Sequence, residues 1–165
     1  MPRWEAEEIV SQSVLERLID MDPKSPSDAP HGRSQSVRRL KSSLRRDLEW
    51  LLNSRRNPEA TSDYEELEKS LFHYGLPDLN SLSWESGHDQ NRLAKMIERT
   101  LSTFEPRLKR VKVTPVGEVS ATQYVLRFQI EGLLDMEPAP ERISFDTVLQ
   151  LSSGAYQVKG EPSAG

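Results

Sequence analysis

Apolar positions along the 165-residue chain change their period once. Up to Phe104 they recur at steps of three and four, the repeat of one helix face. Beyond Pro106 they alternate, the repeat of a half-buried strand. Val14, Leu15, Leu18 and Ile19 predict a short amphipathic helix. Pro23, Pro26 and Pro30, with Ser25, Ser27 and Gly32, predict a mobile linker over 22–33. Ser34 or Ser36 can cap a first long helix, whose buried stripe is Val37, Leu40, Leu44, Leu48 and Leu51, widened by Trp50 and Leu52. Pro58 disfavours helix at Asn57, so this helix should stop near Asn53. Tyr64, Leu67, Leu71 and Phe72 predict a short helix broken at Gly75 and Pro77. Ser86 or Asp89 can cap a second long helix, with Leu93, Met96, Ile97, Leu101 and Phe104 inward and Pro106 ending it.

After that proline, Val111 and Val113 alternate with Arg110, Lys112 and Thr114. Tyr124, Leu126, Phe128 and Ile130 form a second alternating run, and Ile143, Phe145, Thr147, Leu149 and Leu151 a third. Ser152-Ser153-Gly154 predicts a hairpin turn into a last strand, Tyr156 to Val158. Helices first and antiparallel strands afterwards define an α+β fold, with N-terminal helices packed on a small antiparallel sheet formed by the C-terminal half. The expected organisation is an N-terminal segment over 1–33, one domain over 34–159 and a loose tail over 160–165.

Composition narrows the functional classes. With no cysteine there is no disulfide, thiolate metal site or cysteine nucleophile. The net charge of -4 argues against a surface given over to nucleic acid. Residues 1–22 carry charges throughout and lack the apolar run of a signal peptide, and no later window is long and apolar enough to span a bilayer. Charge is blocked. Residues 31–57 hold eight basic residues against two acidic ones, a balance of +6; residues 58–89 hold one against eight, a balance of -7. Arg38, Arg39, Lys41, Arg45 and Arg46 have no interleaved aromatic residues, so solvation or an acidic protein partner suits that helix better than phosphates. Arg55 and Arg56 follow its C-terminal end and complement the negative pole there.

Candidate chemistry is sparse. His31, His73 and His88 are scattered, which predicts surface or packing roles and no metal site. Phosphate loops, nucleotide fingerprints and nucleophilic serine motifs are missing from the sequence. The informative triplet is Glu105-Pro106-Arg107, between helix and strand. Proline ends the helical ladder and pushes Glu105 toward an extended backbone. Arg107 then starts from a rigid support and can make a forked contact with a carboxylate or a carbonyl. Two readings stay open at this point: an internal Glu105–Arg107 or Glu105–Arg110 pair, and a contact offered to another polypeptide.

Three stretches carry a resemblance: SVRRLKSSLRRDLEWLLNSRR from Ser36 to Arg56, YGLPDLNSL from Tyr74 to Leu82, and the Glu-Pro-Arg triplet. In this order they resemble the TssE family, the baseplate component of type VI secretion systems. That family also includes a wedge protein of contractile-tailed phages once described as lysozyme-like. The resemblance runs over roughly residues 13–158. It implies a structural, non-enzymatic subunit without a cofactor, at the cytoplasmic side of a membrane-docked baseplate. It implies TssF, TssG and TssK as baseplate partners and TssB and TssC as sheath partners, with no nucleic acid and no membrane insertion. Glu105, Pro106 and Arg107 take the docking role, with Arg45, Arg46, Arg55 and Arg56 as secondary contacts. The sheet is implied to offer an edge that templates the sheath. The lysozyme-like label raises a cell-wall glycan hydrolase as an alternative, and a shared fold raises a regulatory adaptor. A glycosidase needs two carboxyl groups flanking a bond, one of them a proton donor; a guanidinium beside Glu105 favours the wrong state for that task.

Overall fold

The computed structural model describes residues 33–57, 65–79, 82–84, 86–117, 124–136 and 139–160. The expected helix at Val14–Ile19, the linker up to residue 32, Tyr64 and the tail beyond residue 160 lie outside the described residues. Helix α1 spans Arg33–Asn53, the single turn α2 spans Glu65–Glu68, and a 3-10 turn follows at Leu71–His73. Helix α3 spans Gly87–Phe104. Strands β1 (Leu108–Pro115), β2 (Val125–Leu134), β3 (Glu141–Gln150) and β4 (Ala155–Lys159) pair in chain order as one antiparallel sheet. The α+β expectation holds. No described helix is long and apolar enough to cross a membrane.

The two long helices end where the sequence placed them. Ser86 caps α3 by accepting from the Asp89 amide, and Glu105 is its C-terminal cap. Helix α1 begins at Arg33, ahead of both candidate capping serines. Leu40, Leu44, Leu48, Leu51 and Leu52 of α1 and Leu93, Ile97 and Leu101 of α3 are buried against one face of the sheet. That face is built by Leu126, Phe128, Ile130 and Leu134 on β2, Ile143, Phe145 and Leu149 on β3, and Tyr156 and Val158 on β4. Each such side chain contributes roughly 1.5–3 kcal/mol by leaving water. Helix α1 lies against β4 and α3 against β1.

Strand β1 needs a correction of register to join this core. Leu108 and Val113 are both buried, yet they stand five residues apart, so a regular strand would put them on opposite faces. A bulge between Lys109 and Lys112 supplies the extra residue. Arg110 sits in it with φ 52, a left-handed conformation usually left to glycine.

Three expectations fail locally. Trp50 does not widen the buried stripe; it is 68% exposed, because it shares a helix face with Arg46, four residues back. Leu67, Leu71 and Phe72 are exposed, and the buried side chain of that segment is His73. One helical turn is too short to impose an amphipathic face, and the 3-10 turn aims His73 inward instead. Tyr124 precedes β2 with φ 47 and is exposed.

Several buried polar groups among the described residues lack a hydrogen-bond partner, His73, Thr147 and Tyr156 among them. The Tyr156 hydroxyl is buried without a hydrogen-bond partner. Burial pushes this phenol well above its ordinary pKa, with Arg55 only partly opposing. Tyr156→Phe is therefore expected to raise stability by about 1 kcal/mol at neutral pH. The sign with pH follows from linkage. The unfolded tyrosine ionises from about pH 10 while the folded one stays protonated, so wild-type stability falls as pH rises from there. The advantage of Tyr156→Phe should widen in that window, as read by urea denaturation at neutral and alkaline pH.

Candidate functional site

The Glu105-Pro106-Arg107 corner joins α3 to β1 in one tight turn. The Glu105 amide closes the last helical bond to the Leu101 carbonyl at 2.9 Å, and its carbonyl accepts from the Leu108 amide at 3.1 Å. Between them Pro106 has no amide to satisfy, so it can stand exposed at the tip. The Arg107 carbonyl accepts from the Asp135 amide at 2.8 Å, which ties the corner to the end of β2.

The side chains form a closed ionic cluster. Arg107 donates from Nε to Glu105 Oε1 at 2.7 Å and from Nη2 to Glu105 Oε2 at 2.6 Å, the forked geometry that makes such pairs strong. The Arg107 amide adds a bond to Oε1 at 3.2 Å. Nη2 also donates to Asp47 Oδ2 at 2.7 Å, reaching across to α1. Hydrogen bonding to Glu105 holds the guanidinium further above its already high pKa, burial opposing and Asp47 adding to it. Tyr74 completes the cluster: burial, then Asp47, then Glu105 raise its phenol pKa, and its ring packs edge-on against Phe104 at 5.4 Å. Arg107 Nη1 is buried without a hydrogen-bond partner.

Of the two readings of the triplet, the internal Glu105–Arg107 pair is formed. Glu105 is only 5% exposed, Pro106 is exposed, and the Arg107 side chain is 24% exposed. The outward member of the corner is therefore the proline ring; the guanidinium is turned inward, with Nε and Nη2 committed to Glu105 and Asp47 and Nη1 buried. Asp47 and Tyr74 were not read from the sequence as members of this site. Asp47 had a signal: it is one of two acids among eight basic residues, three positions after Leu44 at the margin of the apolar stripe.

The four secondary arginines separate. Arg45 Nη1 donates to the Val158 carbonyl at 3.2 Å and Arg55 Nη2 to the Gly154 carbonyl at 3.2 Å, so both reach β4 or its turn. Arg46 stays beside Asp47 at 3.6 Å and is largely exposed, as is Arg56. They do not join the Glu105–Arg107 cluster directly; Arg46 touches it through Asp47.

A family model described as "Baseplate wedge protein gp25" matches residues 38–139, more than half of the chain. The chain belongs to that family, which bears out the resemblance carried by its three stretches. The match takes in α1 from residue 38 onward, α2, α3, the corner, β1 and β2. A solved structure titled "The baseplate complex from the type VI secretion system" is similar at 21% identity, over 68% of this chain and 96% of that chain, with a TM-score of 0.44. No curated protein sequence matches.

Proposed function

We infer that this chain is a structural, non-enzymatic subunit of a contractile injection baseplate, of the TssE kind, and that it docks to the wedge through the Pro106–Arg107 side of its corner. The observation that carries this reading is the family match over a segment that contains the corner, combined with the corner's geometry. The exposed proline stands on a backbone fixed by the Glu105–Arg107–Asp47 cluster and the Asp135 amide, so little ordering remains to be done on binding. The wedge partners are TssF and TssG, with TssK nearby, at the cytoplasmic side of the membrane. The sheet faces the TssB–TssC sheath and sets its first ring. No cofactor takes part. A hydrolase role for Glu105 is disfavoured by its bonding, since both oxygens are committed to Arg107.

The test separates docking from folding. Pro106 is exposed, so Pro106→Glu should leave the melting temperature of the isolated chain within about 2 °C, as usual for surface changes. Retention on a TssF–TssG complex should fall at least about tenfold, about 1.4 kcal/mol of binding. Full retention by a folded Pro106→Glu variant would remove the corner from the interface.

A further inference from the structure

Leu67, Leu71 and Phe72 stand exposed within one short run, Leu71 at 84% and Phe72 at 51%. The turn that carries them is fixed. Ser70 donates to the Leu67 carbonyl from Oγ at 2.7 Å and from its amide at 3.0 Å. The Ser70 carbonyl accepts from the His73 amide at 3.0 Å, and the Leu71 carbonyl from the Tyr74 amide at 3.2 Å. His73 is buried in place of its apolar neighbours, with neither ring nitrogen partnered, and its ring meets Phe72 edge-on at 5.9 Å. A segment that buries an unsatisfied imidazole while holding a leucine and a phenylalanine in water is locally frustrated. Natural chains keep such conflicts where a surface binds. Glu66 is exposed beside this apolar knob, and Glu68 is half-exposed and paired with Arg99 at 3.1 Å.

The complementary shape lies on α1. A surface groove of about 270 Å³ is lined by Arg45, Arg46, Glu49, Trp50 and Asn53. Three of these residues turn their polar ends away, toward β4. Asn53 pairs with Tyr156 as a peptide would, Nδ2 donating to its carbonyl at 2.8 Å and Oδ1 accepting from its amide at 2.9 Å. The Val158 amide donates to Glu49 Oε2 at 3.2 Å, and Arg45 donates to the Val158 carbonyl at 3.2 Å. These bonds close the outer edge of β4 and leave the groove mostly methylene stems for walls, beside the exposed Trp50 indole. Arg46 keeps its charge at the rim, largely exposed and only loosely held by Asp47 at 3.6 Å. Arg39, two helical turns back, is exposed as well. The groove is apolar in its walls and basic at its mouth.

We propose that this chain associates head to tail with a second copy of itself, Leu71 and Phe72 of one copy seating in the Trp50 groove of the next. The Phe72 ring packs on the Trp50 indole and the arginine stems, and Glu66 meets Arg46 at the rim. Charge selects the occupant. The knob belongs to the block over 58–89 with a balance of -7, and the groove to the block over 31–57 with a balance of +6. Each patch therefore attracts the other and repels its own kind. Because the two patches differ, the contact is heterologous and passes from copy to copy. One knob in a groove of this size is a small interface, so free copies associate weakly. An assembly that holds copies side by side raises their effective concentration and makes the contact count.

Sedimentation velocity of the full chain from about 10 µM to about 1 mM is the test. The wild type should gain mass with concentration, with a Kd of roughly 0.1 mM that weakens as salt is added. Two variants at exposed positions, Trp50→Ser and the double Leu71→Ser, Phe72→Ser, should each associate roughly tenfold more weakly. Mixed in equal amounts they should regain the wild-type affinity and stop at the dimer, since one supplies an intact knob and the other an intact groove. Glu66→Lys, also exposed, should weaken association about threefold and serves where either serine variant fails to fold. Wild-type monomers at every concentration, or a mixture that associates no better than its parts, would overturn the proposal. So would a monomer whose Trp50 indole NMR signal responds only to TssF–TssG, or to substitutions within residues 1–32, because the wedge or another segment then fills the groove. Retention of Pro106→Glu on TssF–TssG reads the corner separately, and either measurement can fail with the other intact.

Discussion

Replacing Arg107 with alanine is expected to cost about 3 kcal/mol of folding stability, a fall of roughly 10 °C in melting temperature for a domain of this size. The guanidinium bridges two carboxylates from distant parts of the chain, Glu105 and Asp47, at 2.6 and 2.7 Å. Without it the buried Glu105 loses both charge-assisted bonds, and two acids face each other beside the Tyr74 phenol. Breaking a buried pair from one side costs roughly 3–5 kcal/mol, and the lower end applies because Arg107 and Asp47 each keep about a quarter of their side-chain surface in water. The double variant Arg107→Met, Glu105→Gln should recover more than half of the loss, since it leaves no uncompensated charge beyond Asp47. Urea denaturation of the set measures this. A loss under about 1 kcal/mol for Arg107→Ala would show that the cluster is held by other contacts. Arg107→Ala therefore reports on folding and docking together, which is why Pro106→Glu is the variant that isolates docking.

Much of the architecture was legible because helix and strand periods are local. The stop near Asn53, the Ser86 cap, the end of α3 before Pro106 and the alternations at Leu126, Phe128 and Ile130 all follow from neighbours a few residues away. Trp50, Leu71 and Phe72 misled the reading because exposure depends on what packs alongside, and apolar character alone does not say that nothing does. At the site, the triplet marked the corner, but its contact with Asp47 spans sixty positions. That partner follows from how α1 crosses behind the turn, which no local rule supplies. The closure of β4 is of the same kind: Arg45, Glu49 and Asn53 look like an ordinary polar helix row until the strand lies beside them. The bulge at Arg110 stands between. The five-residue step from Leu108 to Val113 could have announced it, had both been placed inside.

Gly75→Ala is expected to be as damaging as the loss of Arg107, through backbone alone. Gly75 has φ 104, outside the range of L side chains, and a methyl group there would lie 2.4 Å from the Ser54 carbonyl oxygen. That oxygen cannot retreat. It accepts from the Leu76 amide at 2.9 Å, and the Leu76 carbonyl accepts from the Arg56 amide at 2.9 Å, so both backbone groups of the residue after the glycine are stitched to the end of α1. Strain and the broken stitch together should cost about 3 kcal/mol. The damage should also spread. Tyr74 precedes the glycine and packs on Phe104 within the field of Asp47 and Glu105, so a displaced loop withdraws the phenol from the corner. Hydrogen exchange gives the discriminating readout: the Arg56 and Leu76 amides should lose protection first, while Val158, held by Glu49, keeps it until global unfolding. Gly87→Ala is the control, since a methyl group there meets nothing within 4 Å and the site is the first residue of α3. If Gly75→Ala matched that control in urea, the loop would have another conformation open to it, and the Tyr74 edge of the cluster could not be what steadies the docking corner.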